Sequence, residues 1–252
     1  MEAFCHTPET EIHHRAILLP GNDLPKEFYR SLGGELALRG VCTTVFDIPG
    51  LSGPRTTFSV SWQAYVDLIS DALATLGDGG AVIGHSLGGL LAFLVAARVP
   101  HQVTRLILLE PAILPNRLFA TLAARRYIRD VVQGDRTRFS NWSGSYDRVA
   151  NLDVYPQDAI DLYVRTRQSN DPAVAQTLFQ SIASLYPLPF RLITIPTLVL
   201  HGQRTGVGSA LLMRFLASRF ARGCVASIPG AAHWIANERD REAAGLIADF
   251  LG

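Results

Sequence analysis

A serine becomes a nucleophile when the chain presents it sharply and a neighbouring group takes its proton. The run Ala81-Val82-Ile83-Gly84-His85-Ser86-Leu87-Gly88-Gly89 provides such a presentation. A short apolar stretch reads as a buried strand, G-x-S-x-G follows, and a helix pattern begins at once. A residue on so tight a turn sits in strained backbone, so positions two before and two after it must be small. Gly84 and Gly88 meet that demand. The helix start brings unpaired N–H groups and a positive dipole end to the place where an oxyanion would develop. A bare GxSxG also arises as a chance glycine-rich turn; the strand before it and the helix after it mark this one as an elbow.

The elements around the elbow alternate in a recognisable order. Candidate strands run Arg15 to Leu19, Val41 to Phe46, Ala81 to Gly84, Arg105 to Leu109, Thr197 to His201 and Cys224 to Ile228. Between several of them lie amphipathic segments: Trp62 to Leu76, with apolar residues three or four apart, then Leu87 to Arg98, and a last one from about Asn237 to Phe250. This pattern predicts an α/β fold, a mostly parallel sheet of about six strands with helices on both faces. From Ala112 to Arg191 the alternation lapses, and only helical stretches appear: Asn116 to Val132, Gln157 to Gln168 and Pro172 to Leu185. They are separated by breaks at Gly134, Gly144, Pro156 and Pro172. The expected organisation is therefore one core domain, residues 1–111 and 191–252, carrying a helical cap at 112–190. No internal repeat or low-complexity tract is visible.

With these motifs in place the chain resembles the α/β-hydrolase superfamily across its whole core. Leu18-Leu19-Pro20-Gly21-Asn22 lies after the first strand, where relatives carry His-Gly and a residue that completes the oxyanion hole. Asp47-Ile48-Pro49-Gly50 closes the next strand as in many relatives, and Pro229-Gly230-Ala231-Ala232-His233-Trp234 follows the last strand, where relatives place their catalytic histidine. The resemblance thus implies Ser86 as nucleophile, His233 as general base, and an oxyanion hole formed by the N–H groups of Asn22 and Leu87. Pro20 replaces the histidine common in relatives, and Asp23 is an alternative to Asn22. His85 is expected to pack or hydrogen-bond beside the nucleophile.

The third member departs from the common pattern. Relatives most often supply an aspartate shortly after the penultimate strand, but His201-Gly202-Gln203-Arg204-Thr205-Gly206-Val207-Gly208 has no carboxylate, and Thr205 stands at that place. Threonine cannot stabilise an imidazolium by charge. Some branches instead place the acid after the strand that follows the nucleophile. Here that position is Glu110, which makes it the candidate acid. A carboxylate there also serves in relatives merely to fix loops, and a Ser-His dyad is the remaining alternative.

Composition narrows the classes further. With 23 basic and 22 acidic residues the formal charge is +1, so no general attraction to nucleic acid or acidic membranes is expected. The cluster Arg125, Arg126 and Arg129 reads as a solvated helix face. Cys5, Cys42 and Cys224 are odd in number and widely spaced, so they are read as reduced, inert thiols with no metal site. No leader-like or membrane-length apolar run is present, which gives the expectation of a cytoplasmic protein without a membrane partner or cofactor. The expected partner is a small acyl substrate with an apolar moiety, because the 112–190 segment is rich in aromatics: Phe119, Tyr127, Phe139, Trp142, Tyr146, Tyr155, Tyr163, Phe179, Tyr186 and Phe190. Ester, thioester, lactone, amide or carbon–carbon bond hydrolysis would all use the same residues. A non-catalytic ligand-binding protein on this fold is the rival class. A dehalogenase is disfavoured because such relatives carry Asp at the elbow, and a dinucleotide-binding protein because Gly21 does not begin GxGxxG.

Overall fold

The computed structural model describes residues 3–9, 11–53, 59–77, 79–136, 156–205 and 209–252. Its centre is a seven-stranded sheet: β1 (Ala3–His6), β2 (His14–Leu19), β3 (Val41–Phe46), β4 (Gly80–His85), β5 (Val103–Leu109), β6 (Thr197–Gly202) and β7 (Gly223–Ile228). The order across the sheet is β1-β3-β2-β4-β5-β6-β7. β1 runs antiparallel to β3 and the remaining neighbours pair in parallel. All six strands expected from the sequence form. The additional one, β1, is a four-residue edge strand whose side chains are exposed or half-buried, so it carries no strong apolar signal.

The central strands are apolar at nearly every position because helices cover both faces. Along β2, Ile17 and Leu19 enter one core cluster while Ala16 and Leu18 enter the other. The same division separates Val82 from Ala81 and Ile83, and Leu106 and Leu108 from Ile107 and Leu109. Successive side chains of a strand point to opposite faces, so a continuous apolar run becomes two cores. One face is covered by α2 (Trp62–Ala74), α3 (Leu87–Arg98) and α7 (Ala210–Ser218). The other is covered by α1 (Arg30–Ala37) and the C-terminal α8 (Asp240–Leu251). Helix α1, with Gly33 and Gly34 in its middle, escaped the sequence reading, as did α7.

Helices α4 (Arg117–Tyr127), α5 (Gln157–Ser169) and α6 (Pro172–Ser181) all fall between β5 and β6. Asn116 caps α4 by accepting from Phe119 N–H at 3.1 Å, and the expected continuation to Val132 becomes a π-helical turn, Ile128–Val132. Pro172 opens α6 at its first position, and the last expected turn of that helix is 3₁₀, Ile182–Leu185. Phe139, Trp142, Tyr146 and Tyr155 lie outside the described residues. No helix among those described is long and apolar enough to cross a membrane.

The topology fixes where a site can form. From β2 the chain moves outward to β3 and then returns to β4 on the other side, so the loops after β2 and β4 diverge and leave a crevice at the carboxyl ends of the strands. Helix α3 braces that crevice from below. Its Phe93 is fully buried, with its ring 4.9 Å from Phe190 and 5.9 Å from Phe220. Truncation there leaves a cavity that three separate elements cannot fill, so Phe93→Ala is expected to lower stability in urea unfolding by about 4 kcal/mol with little change in m.

Candidate active site

Ser86 follows β4 and stands at the N-cap of α3 with φ 53° and ψ −115°, a conformation that L-residues adopt under strain. Its backbone is held on all sides: Ser86 N–H donates to Leu109 O at 2.9 Å, and Ser86 O accepts from Ala112 N–H at 2.9 Å and Gly89 N–H at 3.0 Å. The glycines around it are required by contact as well as by the turn. A Cβ at Gly84 would lie 2.3 Å from Gly88 O, and one at Gly88 would lie 2.2 Å from Leu19 O. The loop after β2 therefore rests directly on the elbow, and a Cβ at Gly21 would come within 3.3 Å of Ser86 Cβ.

The N–H groups of that loop are unequally placed. Gly21 N–H donates to the Tyr29 hydroxyl at 2.9 Å and Asp23 N–H to Leu51 O at 2.6 Å, so both are committed. Asp23 is also at positive φ, 60°. The side chain of Asn22 is tethered too, its Nδ2 donating to Asp23 Oδ2 at 2.9 Å and to the Tyr127 hydroxyl at 2.8 Å. Burial pushes the Asp23 carboxyl up, although a hydrogen bond from Asn170 opposes this. Leu87 begins α3, and the first N–H groups of a helix have no intrahelical acceptor.

Glu110, the residue after β5, also has positive φ, 45°, and its side chain is fully buried. One oxygen, Oε1, accepts from Gly202 N–H at 2.7 Å and from His201 Nδ1 at 3.0 Å. The other, Oε2, faces His233 Nδ1 at 3.8 Å, and neither of those two buried atoms has a hydrogen-bond partner among the described residues. Burial alone would raise the Glu110 carboxyl, but the bonds from His201 and Gly202 N–H and the nearby His233 outweigh it and hold it below its usual value. Thr205 lies on the turn after β6, its N–H bonded to Gly202 O at 3.2 Å.

The histidine loop is held by groups that sequence reasoning missed. Glu238 accepts from Ala232 N–H at 2.6 Å through one oxygen and from Trp234 N–H at 2.7 Å through the other, bracketing His233. His85 is fully buried, its Nε2 2.8 Å from His233 O and its Nδ1 2.7 Å from the Tyr29 hydroxyl. A carbonyl can only accept, so Nε2 carries the proton and Nδ1 accepts from Tyr29. One chain of hydrogen bonds therefore runs from Gly21 N–H through Tyr29 and His85 to the carbonyl of His233. It ties the loop after β2, the elbow and the histidine loop together. The expectation that His85 hydrogen-bonds beside the nucleophile was a local reading; its partners come from distant parts of the chain.

The model of the alpha/beta hydrolase family matches residues 16–246. The chain belongs to that family. No curated protein matches it in sequence. Among solved structures it is similar to MenH from S. aureus, with 16% identity, TM-score 0.78, and 99% of this chain and 97% of that one covered. It is likewise similar to a thermophilic esterase from Thermogutta terrifontis (20% identity, TM-score 0.74, 99% and 92% covered). An epoxide hydrolase from Bacillus megaterium superposes as well (15% identity, TM-score 0.74, 99% and 96% covered). These likenesses establish the shared fold, and family membership supports hydrolase activity for this alpha/beta hydrolase.

Of the residues singled out in sequence, this alpha/beta hydrolase brings Glu110 to His233 and the loop of Asn22 to Ser86. Tyr29, His201 and Glu238 join them with no sequence motif to announce them. Two measurements check the hydrogen-bond chain. Tyr29→Phe strands Gly21 N–H and His85 Nδ1 in the interior, so urea unfolding should show a loss of about 2 kcal/mol. Burial, then repulsion from His233, holds His85 near a pKa of about 3 instead of 6.5. As pH falls from 6.5 towards 3, the unfolded chain takes up a proton at position 85 that the folded chain refuses, so stability falls with it. In His85→Gln that dependence should flatten between about pH 6.5 and pH 4.

Proposed function

We propose that the protein is a serine hydrolase that cleaves a carboxylic ester or related acyl substrate with an apolar moiety through an acyl-enzyme. The observation that carries this reading is the Glu110–His233 approach at 3.8 Å beside an elbow whose Ser86 is held at φ 53°. In this reading Ser86 Oγ attacks the acyl carbon while His233 takes its proton. His233 Nδ1 faces Glu110, which leaves Nε2 to serve Ser86. Glu110 orients the ring and stabilises the imidazolium that forms, and its low pKa keeps it ionised for that task. The N–H groups of Asn22 and Leu87 receive the developing oxyanion. His233 then returns the proton to the leaving group, and water, activated by the same histidine, releases the acid.

The segment 112–190 acts as a cap over the strand ends in this proposal. Several of its aromatics are packing residues: Tyr127 lies 4.3 Å from Phe179 between ring centroids, and Phe190 packs on Phe93. Tyr163 lies 5.4 Å from Trp234, the neighbour of His233, and the Tyr127 hydroxyl accepts from Asn22 Nδ2 at 2.8 Å. These apolar surroundings favour an apolar acyl group over a sugar or phosphate. A ligand-binding protein without chemistry is the second reading. It is favoured by one observation, that 3.8 Å exceeds hydrogen-bond length.

A fluorophosphonate probe tests the proposal without knowledge of the substrate. Labelling should be confined to Ser86 by peptide mass spectrometry and absent in Ser86→Ala. Glu110→Gln should slow labelling by about a thousandfold, and Thr205→Asp added to it should restore part of the rate. A folded wild-type protein that takes up no probe would favour the binding role, while full rate in Glu110→Gln would remove Glu110 as the acid.

A further inference from the structure

The three cysteines are separate in sequence, but two of them meet in the sheet. Cys5 lies on the edge strand β1, opposite Thr44 of β3, and Cys42 lies two residues from Thr44 on the same strand. Residues two apart on a strand share a face, so Cys5 and Cys42 are diagonal neighbours across one antiparallel ladder. Their sulfurs are 3.4 Å apart. Cys5 is exposed and Cys42 is buried. Two hydroxyls also surround the Cys5 sulfur, Thr7 Oγ1 at 3.5 Å and Thr44 Oγ1 at 3.7 Å, the latter as donor. On the far side of β3, Arg15 of β2 stands in register with Cys42.

From this geometry we infer that Cys5 and Cys42 form an oxidative modification site, in which Cys5 is the reacting thiol and Cys42 the resolving one, and that their disulfide staples the edge strand to the sheet. The reactivity is asymmetric for physical reasons. Partial burial works against the Cys5 thiolate, but the hydrogen bonds from Thr7, Cys42 and Thr44 and the charge of Arg15 outweigh it and lower its pKa. At Cys42 burial and the neighbouring Cys5 push the pKa up. The oxidant is a peroxide. The Cys5 thiolate attacks one peroxide oxygen, the O–O bond breaks, and the other oxygen leaves as water or an alcohol after taking a proton. Cys5 is thereby oxidised by two electrons to a sulfenic acid. The Cys42 sulfur, giving up its proton, then attacks the Cys5 sulfur, the S–O bond breaks, water leaves and the disulfide forms. Closing the gap to the usual bond length of about 2.0 Å needs a movement that two adjacent strands, one of them at the edge, can make.

The bond would close a loop that contains β2 and α1 and would anchor β1, which pairs with β3 alone. Because it constrains the unfolded chain, the oxidised protein should melt about 5 °C higher than the reduced one. The test treats the whole protein with hydrogen peroxide, alkylates the remaining thiols, and maps peptides without reduction. The expected result is a Cys5–Cys42 cross-linked peptide and loss of two hydrogens from the intact mass. Cys224 should remain alkylated and the higher Tm should be reversed by a dithiol reductant. Cys5→Ser, an exposed position, should leave Cys42 reduced, and Cys42→Ala should leave Cys5 to oxidise further to the sulfinic acid. Sulfinic acid at Cys5 in the wild type, or oxidation directed to Cys224, would overturn the site; a cross-link that leaves Tm unchanged would overturn the staple. None of these readouts depends on the catalytic reading.

Discussion

Everything at the strand ends depends on how closely backbone approaches backbone beneath the elbow. Position 84 has no room for a side chain because Gly88 O would be 2.3 Å away, and position 88 has none because of Leu19 O at 2.2 Å. These contacts let α3 begin directly beneath Ser86 and let the loop after β2 lie on the elbow. A single methyl group at either site would push the three segments apart. The strained φ of Ser86 is the cost of the arrangement, and it is met by four backbone hydrogen bonds at the Ser86 N–H and carbonyl.

Strain at the site follows a pattern. Among the described residues the non-glycine positions with positive φ are Asp23, Ser86 and Glu110, the first residues or turns beyond β2, β4 and β5. Each sharp turn directs a side chain or N–H toward the same crevice, which opens where the strand order reverses. Many of the polar groups brought there find hydrogen-bond partners, while Asn22 Oδ1 and Asn170 Oδ1 have none among the described residues. Asp23 and Glu238 each accept two hydrogen bonds or more, and the Tyr29–His85 chain spends its donors and acceptors in sequence. The Glu110 Oε2 and His233 Nδ1 atoms, also without partners among the described residues, differ in that they face one another at 3.8 Å. A facing pair of this kind is open to binding or chemistry.

Glu110 illustrates how two readings of one residue can both hold. Its Oε1 fixes the start of the turn after β6 through Gly202 N–H and His201, which is the loop-bracing role. Its Oε2 faces His233, the approach that the proposed triad would use. A carboxylate has two oxygens, so at the end of β5 one can hold the end of β6 while the other faces the loop after β7.

Much of this was legible in the sequence, because local rules govern it. Apolar runs of five to seven residues become strands in a doubly covered sheet, and G-x-S-x-G between a strand and a helix becomes an elbow whatever the remainder of the chain does. Strand β1 and helix α1 were not legible, the first because it is short and half-exposed, the second because glycines interrupt its pattern. Only the tertiary structure decided which carboxylate faces His233, that the Asp23 N–H is spent on Leu51 O, that Tyr29 and Glu238 hold the histidine loop, and that Cys5 lies beside Cys42. Each of these is a contact between segments far apart along the chain, set by strand order and register, and composition and spacing carry no record of which distant partner a side chain will face.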